Sequence, residues 1–189
     1  MNIKQIQKDT PIKGVFFFDT MIWINIISPS FDKDNRFIKY ISFFDKVYKD
    51  KYAKIAVSSL IISEIINLYL RKIALPLYAK SLKTDVHKID YKKQFRISDH
   101  YKKHYALVCD EINARLESVV FTDDLLQEYD IIEASTYPKL DFNDFNYYKI
   151  CKKKGYTLVT DDSDFYVNDI SILTLNTDLY KRQFETSKN

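Results

Sequence analysis

The stretch from Asp141 to Phe165 constrains the fold more than any other part of the chain. A predicted helix begins there with acidic and polar residues and ends near Gly155, and the apolar strand 157–160 then runs directly into Asp161 and Asp162. A helix that opens with carboxylates and a strand that ends in them can bring both acidic clusters to one edge of a sheet. Carboxylates gathered in this way must be neutralised, and a divalent cation is the usual means.

Short apolar strands alternate with helical patterns along the rest of the chain. The predicted strands are 15–18, 54–57, 119–121, 157–160 and 170–175. Strands separated by helices predict a parallel sheet with helices on both faces, a three-layer α/β/α architecture. Right-handed crossovers then place the carboxyl ends of the strands along one edge, where open sheets of this class bind ligands. Asp19, Ser58 and the Asp161–Asp162 pair each follow a strand directly and are expected at that edge.

The length of 189 residues fits one domain. We expect this domain to span residues 13–180, with a helical insertion at 76–106 and polar tails at 1–12 and 181–189.

Composition excludes several classes of protein. With Gly14 and Gly155 as its only glycines, the chain cannot contain a glycine-rich phosphate or dinucleotide loop. Cys109 and Cys151 show no spacing typical of zinc ligands. The sequence contains no apolar run of about 18 residues and no apolar core of a signal peptide near residues 1–13. A cytoplasmic protein without a membrane segment is the simplest expectation.

Five acids are candidates for a functional site, and each also has a plain structural explanation. Asp19 can cap the helix that follows its strand, and Glu64 can be a solvated residue on an otherwise apolar helix. Asp144 can simply favour the dipole of its helix, while Asp162 and Asp164 can form turns after their strand. The expected convergence at one sheet edge, rather than any residue alone, favours a site.

Four segments carry these acids: Val15–Thr20, Val57–Asn67, Asp141–Asp144 and Thr157–Phe165. In these segments, and in their order along the chain, the sequence resembles the PIN domain nucleases, which include the toxin ribonucleases of bacterial toxin–antitoxin pairs. The resemblance places the four family acids at Asp19, Glu64, Asp144 and Asp162. The fourth position follows the family pattern Thr-x-Asp, and the nearby acids Asp161 and Asp164 are secondary candidates.

The resemblance implies hydrolysis of RNA phosphodiester bonds with Mg²⁺ or Mn²⁺. Asp19 and Asp144, with Asp162, would hold the cation, while Glu64 and Asp162 would orient water, bind a second ion or help to deprotonate the nucleophile. Thr160 would be the family hydroxyl beside the site. The resemblance also implies an RNA substrate, a possible cognate antitoxin and a possible homodimer. The additional residues around 78–105 depart from the bare domain of many toxins in the family.

A basic segment, Arg71–Tyr105, carries ten Lys or Arg against three Asp or Glu, a net charge of +7 in a chain whose total is +3. Aromatic residues interleave with its cations: Tyr78, Tyr91, Phe95, Tyr101 and Tyr105. This combination suits single-stranded nucleic acid through phosphate contacts and base stacking. Alternatively, the aromatic residues form the apolar face of a solvated helical arm. His87, His100 and His104 also fall in this segment, away from the acidic motifs, and are expected at the surface.

Two other functions compete with the nuclease hypothesis. A phosphoryl-transfer enzyme with Asp19 as nucleophile, as in haloacid-dehalogenase-like folds, requires a second Asp two positions later, where this chain has Met21. A catalytically silent PIN-like module that binds RNA or protein would retain the acids only as caps and turns.

Overall fold

Six parallel strands form one sheet in the computed structural model, which describes residues 2–29, 31–32, 34–116, 119–122 and 128–185. The strand order is β1-β6-β5-β2-β3-β4, and every neighbouring pair is parallel. The strands are β1 Asn2–Gln5, β2 Gly14–Phe18, β3 Ala53–Val57, β4 Val119–Phe121, β5 Thr157–Val159 and β6 Ser171–Thr174. This sheet confirms the predicted three-layer α/β/α architecture.

Helices connect β2 to β3, β3 to β4 and β4 to β5, while the connections from β1 to β2 and from β5 to β6 contain no helix in their described residues. The α-helices are α1 Thr20–Ile27, α2 Asn35–Lys49, α3 Ser59–Tyr69, α4 Leu75–Ser81, α5 Asp99–Asn113, α6 Glu128–Ala134, α7 Phe142–Lys154 and α8 Thr177–Glu185. Two π-helical turns, Leu70–Ala74 and Tyr91–Phe95, and a 3₁₀ turn, Val86–Lys88, lie between α3 and α5. No helix in the described ranges is both long and apolar enough to cross a membrane.

Short polar side chains set the ends of the helices around the sheet edge. Asp19, Ser58 and Asp141 cap α1, α3 and α7, each by accepting a backbone N–H from the first turn. Gly155 ends α7 with a left-handed φ of 68°, a conformation that glycine adopts without a steric cost. These caps fix where each helix begins relative to its strand, and therefore where the acids of the first turns lie.

The central strand β2 anchors the core. Phe16, Phe17 and Phe18 are at most 2% exposed, so both faces of this strand are covered. The ring of Phe17 packs against Tyr147 of α7, and the ring of Phe18 packs against Phe44 of α2. Burying each such ring contributes about 2–3 kcal/mol to folding, which makes β2 a rigid base for the residue that follows it.

Both ends of the chain are more ordered than the expected tails. Asn2–Gln5 pairs with β6 as an edge strand, and the C-terminal helix α8 continues to Glu185. Ile3 is the buried apolar residue of β1, and one such residue in a polar stretch gives no clear alternation. The expected domain bounds, 13–180, remain a prediction.

The sequence pattern predicts a helix over 123–136 that is capped by Thr122, and this segment is described only in part. Its described portion is α6, while residues 123–127, where the cap would bond, lie outside the described residues. The pattern also predicts a helix over 60–74, which is α-helical to Tyr69 and then continues as a π-helical turn.

The basic segment folds around a small apolar cluster of its own. Phe95 is fully buried there, together with Leu70 and Ala74 from the π-helical turn after α3. Tyr78 and Tyr101 pack against Phe95, with ring centroids 5.5 Å and 5.3 Å away. The aromatic residues therefore serve mainly as packing groups, as the alternative interpretation of the sequence expected.

Candidate active site

Asp19 lies directly after β2 and is only 7% exposed. One carboxylate oxygen, Oδ1, accepts the backbone N–H of Met21 at 3.4 Å and caps α1. The other, Oδ2, accepts a hydrogen bond at 2.7 Å from the hydroxyl of Thr160, which follows the neighbouring strand β5. Asp19 thus serves as a cap and is also fixed at the sheet edge, since its two oxygens have different partners.

Asp144 lies in the first turn of α7, where Asp141 takes the capping role. The Asp141 carboxylate accepts the backbone N–H groups of Asn143 and Asp144, at 2.8 and 2.9 Å. Within the described part of the chain, no side chain forms a hydrogen bond or ion pair with the Asp144 carboxylate. Asp144 is therefore the acid of this site with the greatest capacity to accept a new ligand.

The structure distinguishes the three acids that follow β5. The carboxylate of Asp161 is engaged by Arg36, whose Nη1 lies 3.2 Å from Oδ2, and by Tyr40, whose hydroxyl donates to Oδ1 at 2.9 Å. Asp164 is exposed. Asp162 donates its backbone N–H to the Thr160 hydroxyl, which itself donates to Asp19. Only Asp162 of the three contributes to the electrostatics of Asp19 and Asp144 described below.

Glu64, in the second turn of α3, is held by three donors from two other helices. Its Oε2 accepts the hydroxyl of Thr20 at 2.7 Å and the hydroxyl of Tyr147, and its Oε1 accepts the side-chain amide of Asn143. Both oxygens are engaged, so Glu64 is fixed in orientation. A solvated surface glutamate, the plain alternative, does not describe this environment.

Burial and mutual repulsion make two of these acids hard to ionise. Burial, followed in decreasing order by the charges of Asp141, Asp19, Asp162 and Glu64, raises the pKa of Asp144 to about 8. Burial also raises the pKa of Asp19 to about 6, against the lowering effect of its hydrogen bonds to Thr160 and Met21. The four family acids therefore lie within electrostatic reach of each other, as the sequence predicted. Their catalytic roles remain a prediction.

The donor set suits a hard cation. Among the described ion pairs, none joins a Lys or Arg to Asp19, Glu64, Asp144 or Asp162, so no cation of the described residues offsets their negative charge through an ion pair. No three His, Cys, Asp or Glu side chains in the described ranges form a ready ligand set. Mg²⁺ commonly binds through one or two carboxylates and keeps several waters, which fits acids that are near each other but not closed into a cage.

The sequence did not reveal the residues that hold Glu64. Thr20 and Asn143 lie within the matching segments Val15–Thr20 and Asp141–Asp144 but are not acids, and Tyr147 lies outside all four segments. One signal was available: Asn143 and Tyr147 are four residues apart on α7 and therefore share a helix face. The partner of that face, Glu64 on α3, depends on tertiary packing and could not be read locally.

The histidines take structural partners in the basic segment. His100 Nε2 lies 3.1 Å from the carbonyl oxygen of Ala74, and His104 Nδ1 lies 3.2 Å from the hydroxyl of Tyr69. Burial lowers the pKa of His104, and the neighbouring His100 lowers it further. His87, the third, is exposed.

The family model of the PIN domain matches residues 16–171, and the chain therefore belongs to the PIN domain family. This match confirms the resemblance found in the sequence and spans all four acidic motifs. Members of this family are nucleases, a class of phosphodiester hydrolases.

Two solved structures are similar in fold. VapBC2 from Rickettsia felis, solved bound to a DNA fragment from its promoter, has a TM-score of 0.48 and 12% identity over 85% of this chain and 98% of that one. PAE2754 from Pyrobaculum aerophilum has a TM-score of 0.49 and 16% identity over 92% and 91% of the two chains. The comparison with curated proteins gave no match.

Proposed function

We propose that the protein is a metal-dependent ribonuclease that hydrolyses phosphodiester bonds of RNA. The observation that carries the proposal is the convergence of four carboxylates from separate elements, with no described cation paired to them. Asp19 follows β2, Glu64 lies on α3, Asp144 on α7, and Asp162 follows β5. Carboxylates repelling one another at the carboxyl edge of a parallel sheet are well suited to a divalent cation, Mg²⁺ or Mn²⁺.

Asp19, Asp144 and Asp162 would hold the cation, with water completing its coordination. When bound, the cation lowers the pKa of a water ligand and offsets the charge that develops on the phosphate. Asp144 has the freest carboxylate of the three, and Asp19 is held at the edge through Thr160. A cation would also remove the cost of ionising both of these acids, since it favours their charged forms.

Glu64 is assigned a different role from the other three acids. Its two oxygens already accept three hydrogen bonds, from Thr20, Tyr147 and Asn143, so it is poorly placed to change partners during turnover. We assign it to orienting the attacking water or a water of the cation shell. The three donors fix the orientation of the carboxylate toward that water.

The experiment is a cleavage assay with matched variants. Wild type, Asp19→Asn and Asp144→Asn are incubated with mixed RNA in Mn²⁺ or in EDTA, and Asp164→Asn serves as a control that removes an exposed acid close to the site. In Mn²⁺ we expect wild type and Asp164→Asn to cleave the RNA, and the other two variants to cleave it at least 100-fold more slowly. In EDTA we expect no cleavage by any of the four proteins.

Cleavage that survives both EDTA and the two substitutions would overturn the proposed site. Absence of cleavage of any RNA by wild type would instead favour the silent binding module, in which Asp19 serves only as the cap of α1.

We further propose that this nuclease is the toxin of a toxin–antitoxin pair, with a cognate antitoxin as partner and a homodimer as its assembly. The resemblance of the four acidic motifs to the toxin ribonucleases of the family supports this proposal. We expect a small reading frame that encodes an acidic protein beside the gene. Expression of the nuclease alone should arrest growth, and co-expression of the acidic protein should suppress that arrest. Growth that is unaffected by expression of the protein alone would contradict the toxin role.

A further inference from the structure

The cations of the basic segment all point to solvent. The exposed residues are Arg71, Lys72, Lys80, Lys83, Lys88, Lys92, Lys93, Arg96, Lys102 and Lys103. Of the three acids in the segment, Asp85 and Asp90 accept backbone N–H groups as helix caps, and Asp99 pairs with Lys102. Lys102 forms the only ion pair found for these ten cations in the described part of the chain, so the net charge of +7 is largely available to a partner.

The packing of the aromatic residues determines which kind of contact this surface can make. Phe95 is fully buried, Tyr78 and Tyr101 pack on it, and Tyr91 lies beneath the guanidinium of Arg71 at 4.5 Å. These rings are therefore poorly available for stacking on bases. Tyr105 alone of the five aromatic residues is exposed, at 43%. The exposed charges are mostly ammonium and guanidinium ions, which contact phosphates and do not discriminate between bases.

Three of the lysines surround one concavity. A groove of about 510 Å³ lies between α4 and the 3₁₀ turn, lined by Lys80, Lys83 and Lys88, by the hydroxyl-bearing Thr84 and by one acid, Asp85. We call it the lysine groove. Three cations against one acid make the lining net positive, and an anion with several acceptor oxygens suits such a lining.

Lys83 occupies a position where glycine is usual. It follows α4 with φ of 51°, and its N–H and that of Thr84 bond back to the carbonyls of Lys80 and Ala79. This is the left-handed ending of a helix, in which any side chain carries a steric cost that glycine avoids. The lysine therefore places a charge in the groove at some expense to the stability of the turn.

The lysine groove is linked to the acidic edge by a continuous helix. Glu64 lies in α3, and Arg71, seven residues later, begins the basic segment about 10 Å further along the helix axis. The π-helical turn after α3 leads directly into α4, which carries Lys80. A polyanion that extends from the four acids along α3 would therefore reach the basic segment.

We propose that the lysine groove binds the phosphate backbone of the RNA outside the cleaved bond. The proposal rests on the proposed function for the identity of the nucleic acid. The two regions then have different roles. The acidic edge binds the cation and the scissile phosphate, and the basic segment increases the affinity for RNA without sequence preference.

The test measures binding separately from cleavage. Fluorescence anisotropy in EDTA gives the Kd for a 30-nucleotide single-stranded RNA over a range of KCl, with wild type and with Lys80→Gln/Lys83→Gln/Lys88→Gln. Lys39→Gln/Lys49→Gln/Lys54→Gln is the matched control, since it removes three exposed lysines elsewhere. We expect the groove variant to bind about 100-fold more weakly at 0.1 M salt, with a salt slope smaller by about 2, and the control to change little.

Lys83→Gly separates binding from folding. Glycine fits the left-handed backbone, so the melting temperature should be unchanged or higher, while RNA binding at 0.1 M salt should fall about 5-fold. A purely structural role for Lys83 predicts no loss of binding from this variant.

Equal binding by the groove and control variants would overturn the proposal. So would wild-type binding to polyglutamate as tight as that to RNA of equal charge, which would favour an acidic protein partner. Tight binding through the groove without any cleavage would contradict the proposed hydrolysis and leave the proposed role of the groove intact. Cleavage of long RNA by the groove variant with the wild-type KM would contradict the role of the groove and leave the proposed hydrolysis intact.

Discussion

The carboxylate of Glu64 shows how one residue depends on groups far from it in sequence. Its donors are Thr20 on α1 and Asn143 and Tyr147 on α7, so three helices meet at one side chain. Burial and its contact with Glu64 both raise the pKa of the Tyr147 hydroxyl, which keeps this group protonated as a donor. An acid held by donors from two other helices has a fixed orientation, which is what a positioning role requires.

Tyr147→Phe tests that role. The substitution removes one donor and keeps the ring, so we expect kcat for RNA cleavage to fall about 10- to 100-fold with little change in KM. Tyr148→Phe is the control, because its hydroxyl bonds to Tyr137 and Asp169 instead. Equal effects of the two substitutions on kcat would contradict a specific role for Tyr147.

The raised pKa values of Asp144 and Asp19 predict how stability depends on pH. Both values, about 8 and about 6, lie above those of the unfolded chain, so the folded state binds protons more strongly. Their contribution to stability is present below about pH 4 and is lost as pH rises to about 8. Urea unfolding in EDTA gives the free energy of unfolding at pH 5 and at pH 8.5. Between these two pH values it should fall more for wild type than for Asp144→Asn. An equal fall in both proteins would refute this assignment.

At the scale of elements, α7 links the site to the outer helices. Its first turn carries Asp144, and further along Lys149 Nζ lies 2.7 Å from Asp130 and 2.8 Å from Glu133 on α6. Asp130 is only 2% exposed, so its charge depends strongly on this partner.

Lys149→Met should therefore be costly. We expect a loss of about 3 kcal/mol in unfolding free energy, because the change leaves the buried Asp130 carboxylate without this cation. Lys152→Met, on the same helix, removes an ion pair with Asp169 in which both side chains are 44% exposed, and should cost less than about 1 kcal/mol. Urea denaturation compares the two variants, and a similar loss in both would contradict the buried pairing.

The sequence revealed elements whose signals are local. Phe16–Phe18 as part of a buried strand and Gly155 as the end of a helix follow from propensity and periodicity, and the structure confirms both. The edge strand β1 carries one buried apolar residue and depends on pairing with β6, 169 residues away. Such distant pairing gives no local pattern, so β1 was missed.

At the scale of the whole molecule, charge is divided between two regions. The positions of Asp19 and Asp144 at the edge were predictable, since one follows a strand, the other lies in the first turn of a helix, and parallel strands end at one edge. Glu64 lies one turn further into its helix, and the family resemblance selected it. The choice of Asp162 required the family pattern, and the reason Asp161 differs, its contacts with Arg36 and Tyr40, depends on α2 and not on the local sequence. The cations lie on a helical segment whose aromatic side chains turn inward, which composition alone left open.

Binding of Mn²⁺ to the protein is the most direct test of the central claim, that these acids form one cation site. Calorimetric titration at pH 7.5 would compare wild type, Asp19→Asn and Asp144→Asn with the exposed-acid control Asp164→Asn. We expect wild type and the control to bind Mn²⁺ alike, and the other two variants to bind at least 10-fold more weakly. Equal Mn²⁺ affinity in all four proteins, or no binding by wild type, would contradict the account.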